Sequence, residues 1–241
     1  MNHDDLAPLA TATDAMRLVL SAARGDEPVA ACPGWDVEAL AMHLGSVHRW
    51  AAATVLSGRV QEEPAVRRQD EDTAQWYAAT ARALVAALAA VDPAEPCWTL
   101  EPDGGTAGFW RRRQLHETVI HRVDAARAVG LDSTPIAPEV AADGIDEVCD
   151  LWLRRLHVRW QRPADLPAPV LLVSTDTGRT WLLTPAEGAP PEVRRDVGPV
   201  GDQRVEGTAE ALYLALWHRG DVGLRVEGPA AARFLGGTTS P

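Results

Sequence analysis

The chain has 241 residues, 46% of them hydrophobic, and its 34 acidic against 23 basic side chains give a formal net charge of -11. That length suits one or two domains, each able to bury a core without metal or disulfide staples. No apolar run reaches the roughly 18 residues of a membrane span, the N-terminus is acidic where a secretory signal is basic, and the acidic balance disfavours phosphate-backbone binding, so the expectation is a soluble cytoplasmic globular protein with no membrane or nucleic-acid partner.

The first 130 residues read as four helices. Helix one spans about Asp5 to Arg24, with Leu6, Leu9, Met16, Val19 and Leu20 as its apolar contacts and Gly25 as its expected C-cap. Helix two follows Cys32-Pro33-Gly34-Trp35, is capped by Asp36 and runs to Ser57-Gly58. A charged loop, Val60 to Arg68, leads to helix three at about Asp70 to Val91, which ends where Asp92 precedes Pro93. A Pro-, Asp- and Gly-rich loop, Pro93 to Gly105, precedes helix four at about Gly108 to Val129, stopped by Gly130. Helices of this length with intervening loops suit an antiparallel bundle.

The remainder changes character. A fifth helix, about Pro138 to Trp160, precedes a Pro-rich stretch from Pro163 to Pro169. Val170 to Ser174, Thr180 to Thr184 and Arg194 to Val197 read as short strands, the first two joined by a hairpin turn at Asp176-Thr177-Gly178. Gly207-Thr208-Ala209-Glu210 opens a helix to about Arg219, Gly223 to Glu227 reads as a last strand, and Pro229 starts a terminal helix. The fold class is α+β: a four-helix bundle over residues 1–135, then a small α+β domain over 136–241.

Every basic residue is Arg, which removes lysine Schiff-base chemistry and matches a GC-rich coding sequence. The cysteines, Cys32, Cys97 and Cys149, are far apart and odd in number, so they read as small buried hydrophobes of a reducing compartment; a nucleophilic Cys32 near a helix start is the alternative.

The chemistry concentrates on helix four, in His116-Glu117-Thr118-Val119-Ile120-His121-Arg122-Val123-Asp124. Glu117 and His121 are four apart and lie about 40° from each other on one face, where a carboxylate and an imidazole can share a metal ion. His116 points about 140° away from His121, so this is not a zincin motif. Asp124 projects from the same stripe and is placed to orient a ligand. Against this, Leu115, Val119, Val123 and Ala126 form an apolar arc opposite the pair, and simple amphipathicity would leave Glu117 and His121 in solvent. On helix two, His43 lies in a stripe with Leu40, Val47 and Trp50, as either a core histidine or a ligand, whereas His48 faces elsewhere. Two histidines and one glutamate would leave an open position, as catalytic zinc sites do, although the same set accepts other divalent metals.

Cys32-Pro33-Gly34-Trp35 with His43-Leu44 downstream, and Arg112 to Asp124 with its H-E-x-x-x-H-R-x-D core, resemble the two signatures of mycothiol-dependent maleylpyruvate isomerase-like proteins. The resemblance covers nearly the full chain. It implies a DinB-like four-helix bundle followed by a small α/β domain, with zinc ligands at His43, Glu117 and His121. It also implies an arginine from the small domain acting beside the metal, for which Arg219 is the candidate; a cation favouring a helix C-terminus is its other reading. Zinc in such a site binds the thiol of mycothiol, a small thiol of actinobacteria, and lowers its pKa. The implied activity is isomerisation or S-transfer on a small electrophile such as an unsaturated carboxylate, and two covered domains make a monomer the expectation. A non-catalytic metal- or ligand-binding regulatory module and a metal-dependent hydrolase are the readings from other classes. Substrate choice would fall to the loops Arg59 to Gln69 and Pro93 to Phe109, with Trp35, Trp50, Trp98 and Trp110 as pocket or core residues.

Overall fold

The computed structural model describes residues 5–62 and 71–241. The chain divides into two compact units, the first ending at Thr134 and the second running from Pro135 to Pro241.

The first unit is built on α1 (Ala7–Ala22), α2 (Val37–Ser57), α3 (Thr73–Ala90) and α4 (Ala107–Ala128), with a minimal antiparallel pair, β1 (Pro96–Cys97) and β2 (Gly105–Thr106), between the last two helices. Each start has a local cause. Asp36 accepts a hydrogen bond from Ala39 N at 2.8 Å, and Asp72 accepts one from Gln75 N at 2.8 Å, so both satisfy first-turn donors. The expected start of α3 at Asp70 lies outside the described residues, as do all but the first residues of the loop expected at Arg59 to Gln69. α4 stops in a Schellman arrangement: Leu131 N donates to Ala126 O and Gly130 N to Arg127 O, with Gly130 at φ +71°. α1 ends differently from the expectation. Ala23 is its extended C-cap, and Gly25 sits two residues further on in the turn to Pro28.

The core of this unit joins Met16, Leu20, Leu40, Leu44, Trp76, Tyr77 and Ala81. At Gly45 a Cβ would stand 2.2 Å from the Trp76 ring, so only glycine lets α2 and α3 approach this closely. Arg111, buried, donates from one guanidinium nitrogen to Leu88 O and Val91 O, satisfying carbonyls at the end of α3 that no helical partner can reach.

In the second unit, α5 (Pro138–Glu147) passes into a π-helical segment at Val148–Trp152 and then α6 (Leu153–Val158), where the sequence predicts one unbroken helix to Trp160. A five-stranded sheet follows, in the order β5-β4-β3-β6-β7, from β3 (Val170–Ser174), β4 (Thr180–Thr184), β5 (Glu192–Arg195), β6 (Arg204–Gly207) and β7 (Arg225–Glu227). β3 pairs antiparallel with β4 through the expected turn and parallel with β6. β5 lies two residues earlier than predicted. β7 starts two residues later, at Arg225, and β6 was not anticipated at all. α7 (Ala209–Leu216), capped by Thr208, ends three residues short of Arg219, and α8 (Pro229–Gly236) closes the chain. Asp146 of α5 ties helix to sheet: it accepts from Arg195, Arg179 and Trp181 Nε1 at 2.6, 2.8 and 2.8 Å. No helix among the described residues is long and apolar enough to cross a membrane.

Candidate metal centre

α4 carries the candidate centre, and its burial removes the reading that would leave Glu117 and His121 in solvent. From Gln114 to Ala126 every residue is buried except Glu117, which is partly buried. The helix therefore has no solvated stripe, and the apolar arc Leu115, Val119, Val123 and Ala126 covers only one of its buried sides. A charged side chain in such a place must find partners, because unpaired burial costs several kcal/mol.

Glu117 finds three. Arg113, one turn earlier and 3% exposed, donates to Oε2 at 2.5 Å. Oε1 lies 3.1 Å from His43 Nε2 and 3.4 Å from His121 Nε2. Burial alone would raise the Glu117 pKa, but Arg113 and the two histidines outweigh it and hold the carboxyl well below its ordinary range. His121 is opposed by burial too, yet Asp124, Cys32 and Glu117 together hold its pKa well above the usual histidine value.

His43, Glu117 and His121 each offer one ligand atom, all within 4.8 Å of one another. His43 comes from α2, and its side chain is 35% exposed rather than sunk in a fully apolar stripe; Val47 and Trp50 are also only partly buried, while Leu40 is fully so. The exposed edge gives a small ligand a way in, and Trp35 packs on His43 with ring centroids 4.9 Å apart. Behind the pair, His121 Nδ1 stands 3.1 Å from Asp124 Oδ2, on a carboxylate with no exposed surface. That contact holds a proton on Nδ1, so Nε2, which faces Glu117 and His43, is the nitrogen that would give up its proton to a metal.

The other candidates are placed elsewhere. His48 is fully buried and bonds Thr118 Oγ1 through Nε2 at 3.1 Å, outside the cluster, as its spacing from His43 predicts. His116 is fully buried on a different face of α4. Trp98 stacks on Trp110, Trp50 meets both edge-on, and Trp110 donates to Trp98 O at 2.7 Å; they form a packed aromatic group around the β1–β2 loop. Arg219 belongs to the second unit, just past α7, where Nη1 donates to Trp217 O at 2.5 Å and the guanidinium lies over the Trp217 ring. Arg113 is the residue sequence reasoning missed; its i, i+4 spacing from Glu117 was the available signal.

Comparison with known proteins bears on this arrangement. Residues 6–126, half of the chain, match the family model described as the mycothiol maleylpyruvate isomerase N-terminal domain. The chain belongs to that family. Two solved structures are similar in fold, one of the mycothiol-dependent maleylpyruvate isomerase and one of its histidine-to-alanine mutant. Each has a TM-score of 0.63 at 15% identity, with 93% of both chains covered. No curated protein sequence matches. The match of this mycothiol maleylpyruvate isomerase family member to the solved isomerase extends over both units, so the α+β class, a helical unit followed by a small sheet unit, is common to them.

Proposed function

We propose that the chain is a mycothiol-dependent enzyme acting on a small electrophile, with a divalent metal held by His43, Glu117 and His121. The observation that supports it most is the convergence of two imidazole nitrogens and one carboxylate oxygen within 4.8 Å, in a member of this family. Two histidines and one carboxylate match zinc in donor type and leave a position open. When bound there, the metal supplies Lewis acidity that lowers the pKa of a coordinating thiol.

The chain's own residues prepare that chemistry. Arg113 keeps Glu117 ionised through Oε2 and leaves Oε1 for the cation. Asp124 fixes the His121 ring so that Nε2 faces the same point. On a maleyl-type substrate, addition of the thiol sulfur to the double bond, rotation about the new single bond and expulsion of the sulfur give the trans isomer and return the thiol. Without expulsion the same addition is S-transfer. Arg219 is our candidate for holding a substrate carboxylate, which a guanidinium does with two parallel hydrogen bonds.

The test is cis–trans conversion of maleylpyruvate by zinc-loaded protein, with and without mycothiol. The expected result is turnover that requires the thiol and falls to background in Glu117→Ala. Turnover without thiol, or unchanged in Glu117→Ala, overturns the proposal.

A further inference from the structure

His121 has two ring nitrogens, and the proposed centre employs one. On the other edge of the ring, Nδ1 stands 3.1 Å from Asp124 Oδ2, and Cys32 Sγ lies 3.9 Å from that same carboxylate oxygen. Ligand atoms of Cys32, His121 and Asp124 all fall within 4.8 Å of one another.

Cys32 does not reach this point by chance of a long side chain. It sits in a tight turn ahead of α2, where Cys32 N donates to Val29 O and Trp35 N donates to Cys32 O, both at 3.0 Å. A backbone bridge between Pro28 and Asp36 closes the base of that turn. Asp124 is fully buried at its side chain and Cys32 is partly exposed, so the group is anchored inside and reachable from outside.

Asp124 Oδ2 accepts from the Cys32 thiol as well as facing His121 Nδ1, so a sulfur, a nitrogen and an oxygen of ligand type converge on one point. Bonds of about 2.0 Å to nitrogen or oxygen and about 2.3 Å to sulfur set ligand–ligand edges of roughly 3.3 to 3.5 Å in a tetrahedron, between the N–O spacing of 3.1 Å and the S–O spacing of 3.9 Å seen here.

We propose that Cys32 Sγ, His121 Nδ1 and Asp124 Oδ2 form a second cation site, for a strongly thiophilic divalent ion such as Cd2+. Binding replaces two protons, one from the Cys32 thiol and one from His121 Nδ1, both released to solvent. The neutral imidazole that remains has one lone pair and one N–H, so a cation on Nδ1 leaves the proton on Nε2 and competes with a metal there. The second site shares His121 with the centre proposed above, but its occupancy does not depend on Glu117 or His43.

The experiment is titration of metal-free protein with CdCl2, reading the thiolate-to-cadmium charge-transfer absorption in the ultraviolet, for the unmodified chain, Glu117→Ala, Cys32→Ser and Asp124→Asn. Far-ultraviolet circular dichroism verifies that each variant is folded. The expected result is a saturating thiolate band in the unmodified chain and in Glu117→Ala, its loss in Cys32→Ser, and at least a tenfold weaker midpoint in Asp124→Asn. A band that survives in folded Cys32→Ser assigns the binding to Cys97 or Cys149 and overturns the site, as does absence of a band in Glu117→Ala. Failure of the unmodified chain to hold zinc, with the cadmium band intact, retires the first centre and leaves this one standing.

Discussion

Glu117 is ionised in a buried setting because Arg113 stands on one of its oxygens and two imidazoles on the other. Removing Arg113 leaves a buried carboxylate with no permanent cation, and breaking a buried pair of this kind costs about 3 to 5 kcal/mol. Arg113→Met is therefore expected to destabilise the metal-free protein by about 3 kcal/mol in urea denaturation, and by clearly less once zinc is supplied, because the metal takes over the neutralising charge. Equal losses with and without zinc would separate Arg113 from the centre. His48 supplies a pH test. Full burial depresses its pKa to about 3, while the unfolded chain has the ordinary 6.5. Between these values the unfolded chain binds a proton that the folded chain refuses. Stability from this group is thus complete above about pH 6.5 and declines as pH falls toward 3, by about 1.4 kcal/mol per unit, or ~5 kcal/mol in all. His48→Gln should flatten that part of the stability–pH curve; an unchanged slope would show that His48 is not the group responsible.

At the level of elements, the bundle depends on one close approach. Gly45 lets α2 pass the Trp76 ring of α3, and a methyl group there would stand 2.2 Å from it. Gly45→Ala is expected to destabilise the fold by about 1 to 3 kcal/mol through overpacking, despite the better helix propensity of alanine. A gain in stability would mean that Trp76 swings aside freely. In the second unit, Asp146 joins α5 to β4 and β5 by way of Trp181, Arg179 and Arg195, and Asp146→Ala should lower the melting temperature by removing the partner of two arginines that are each about one third exposed. The helices were legible because their signals are local: Asp36 caps α2 as expected, Thr208 opens α7 where Gly207 to Glu210 predicts a start, and Gly130 ends α4. The π-helical segment at Val148–Trp152 was not legible, since Val-Cys-Asp-Leu-Trp has the composition of ordinary helix. β6 escaped for a related reason. Arg204-Val-Glu-Gly has one apolar side chain, and its place between β3 and β7 is conferred by pairing on both edges, which no local pattern encodes.

For the molecule as a whole, residue spacing nominated Glu117 with His121, and His43 as one of two readings. It could not choose between a solvated stripe and a centre, because that choice depends on what covers α4. The fold covers it almost all round, and several of its polar residues are met there by pairs such as Arg113–Glu117, His121–Asp124 and Arg111 with the end of α3. Arg113 and Cys32 join the cluster only through the folded bundle, Cys32 being 92 residues distant from Asp124 in sequence. The central claim is that His43, Glu117 and His121 hold a divalent metal, and metal content per chain by mass spectrometry tests it most directly. On protein purified without chelator and supplied with zinc, the account predicts about one zinc per chain, lost in His121→Ala. No zinc in the unmodified protein, or zinc retained in full by His121→Ala, would contradict it.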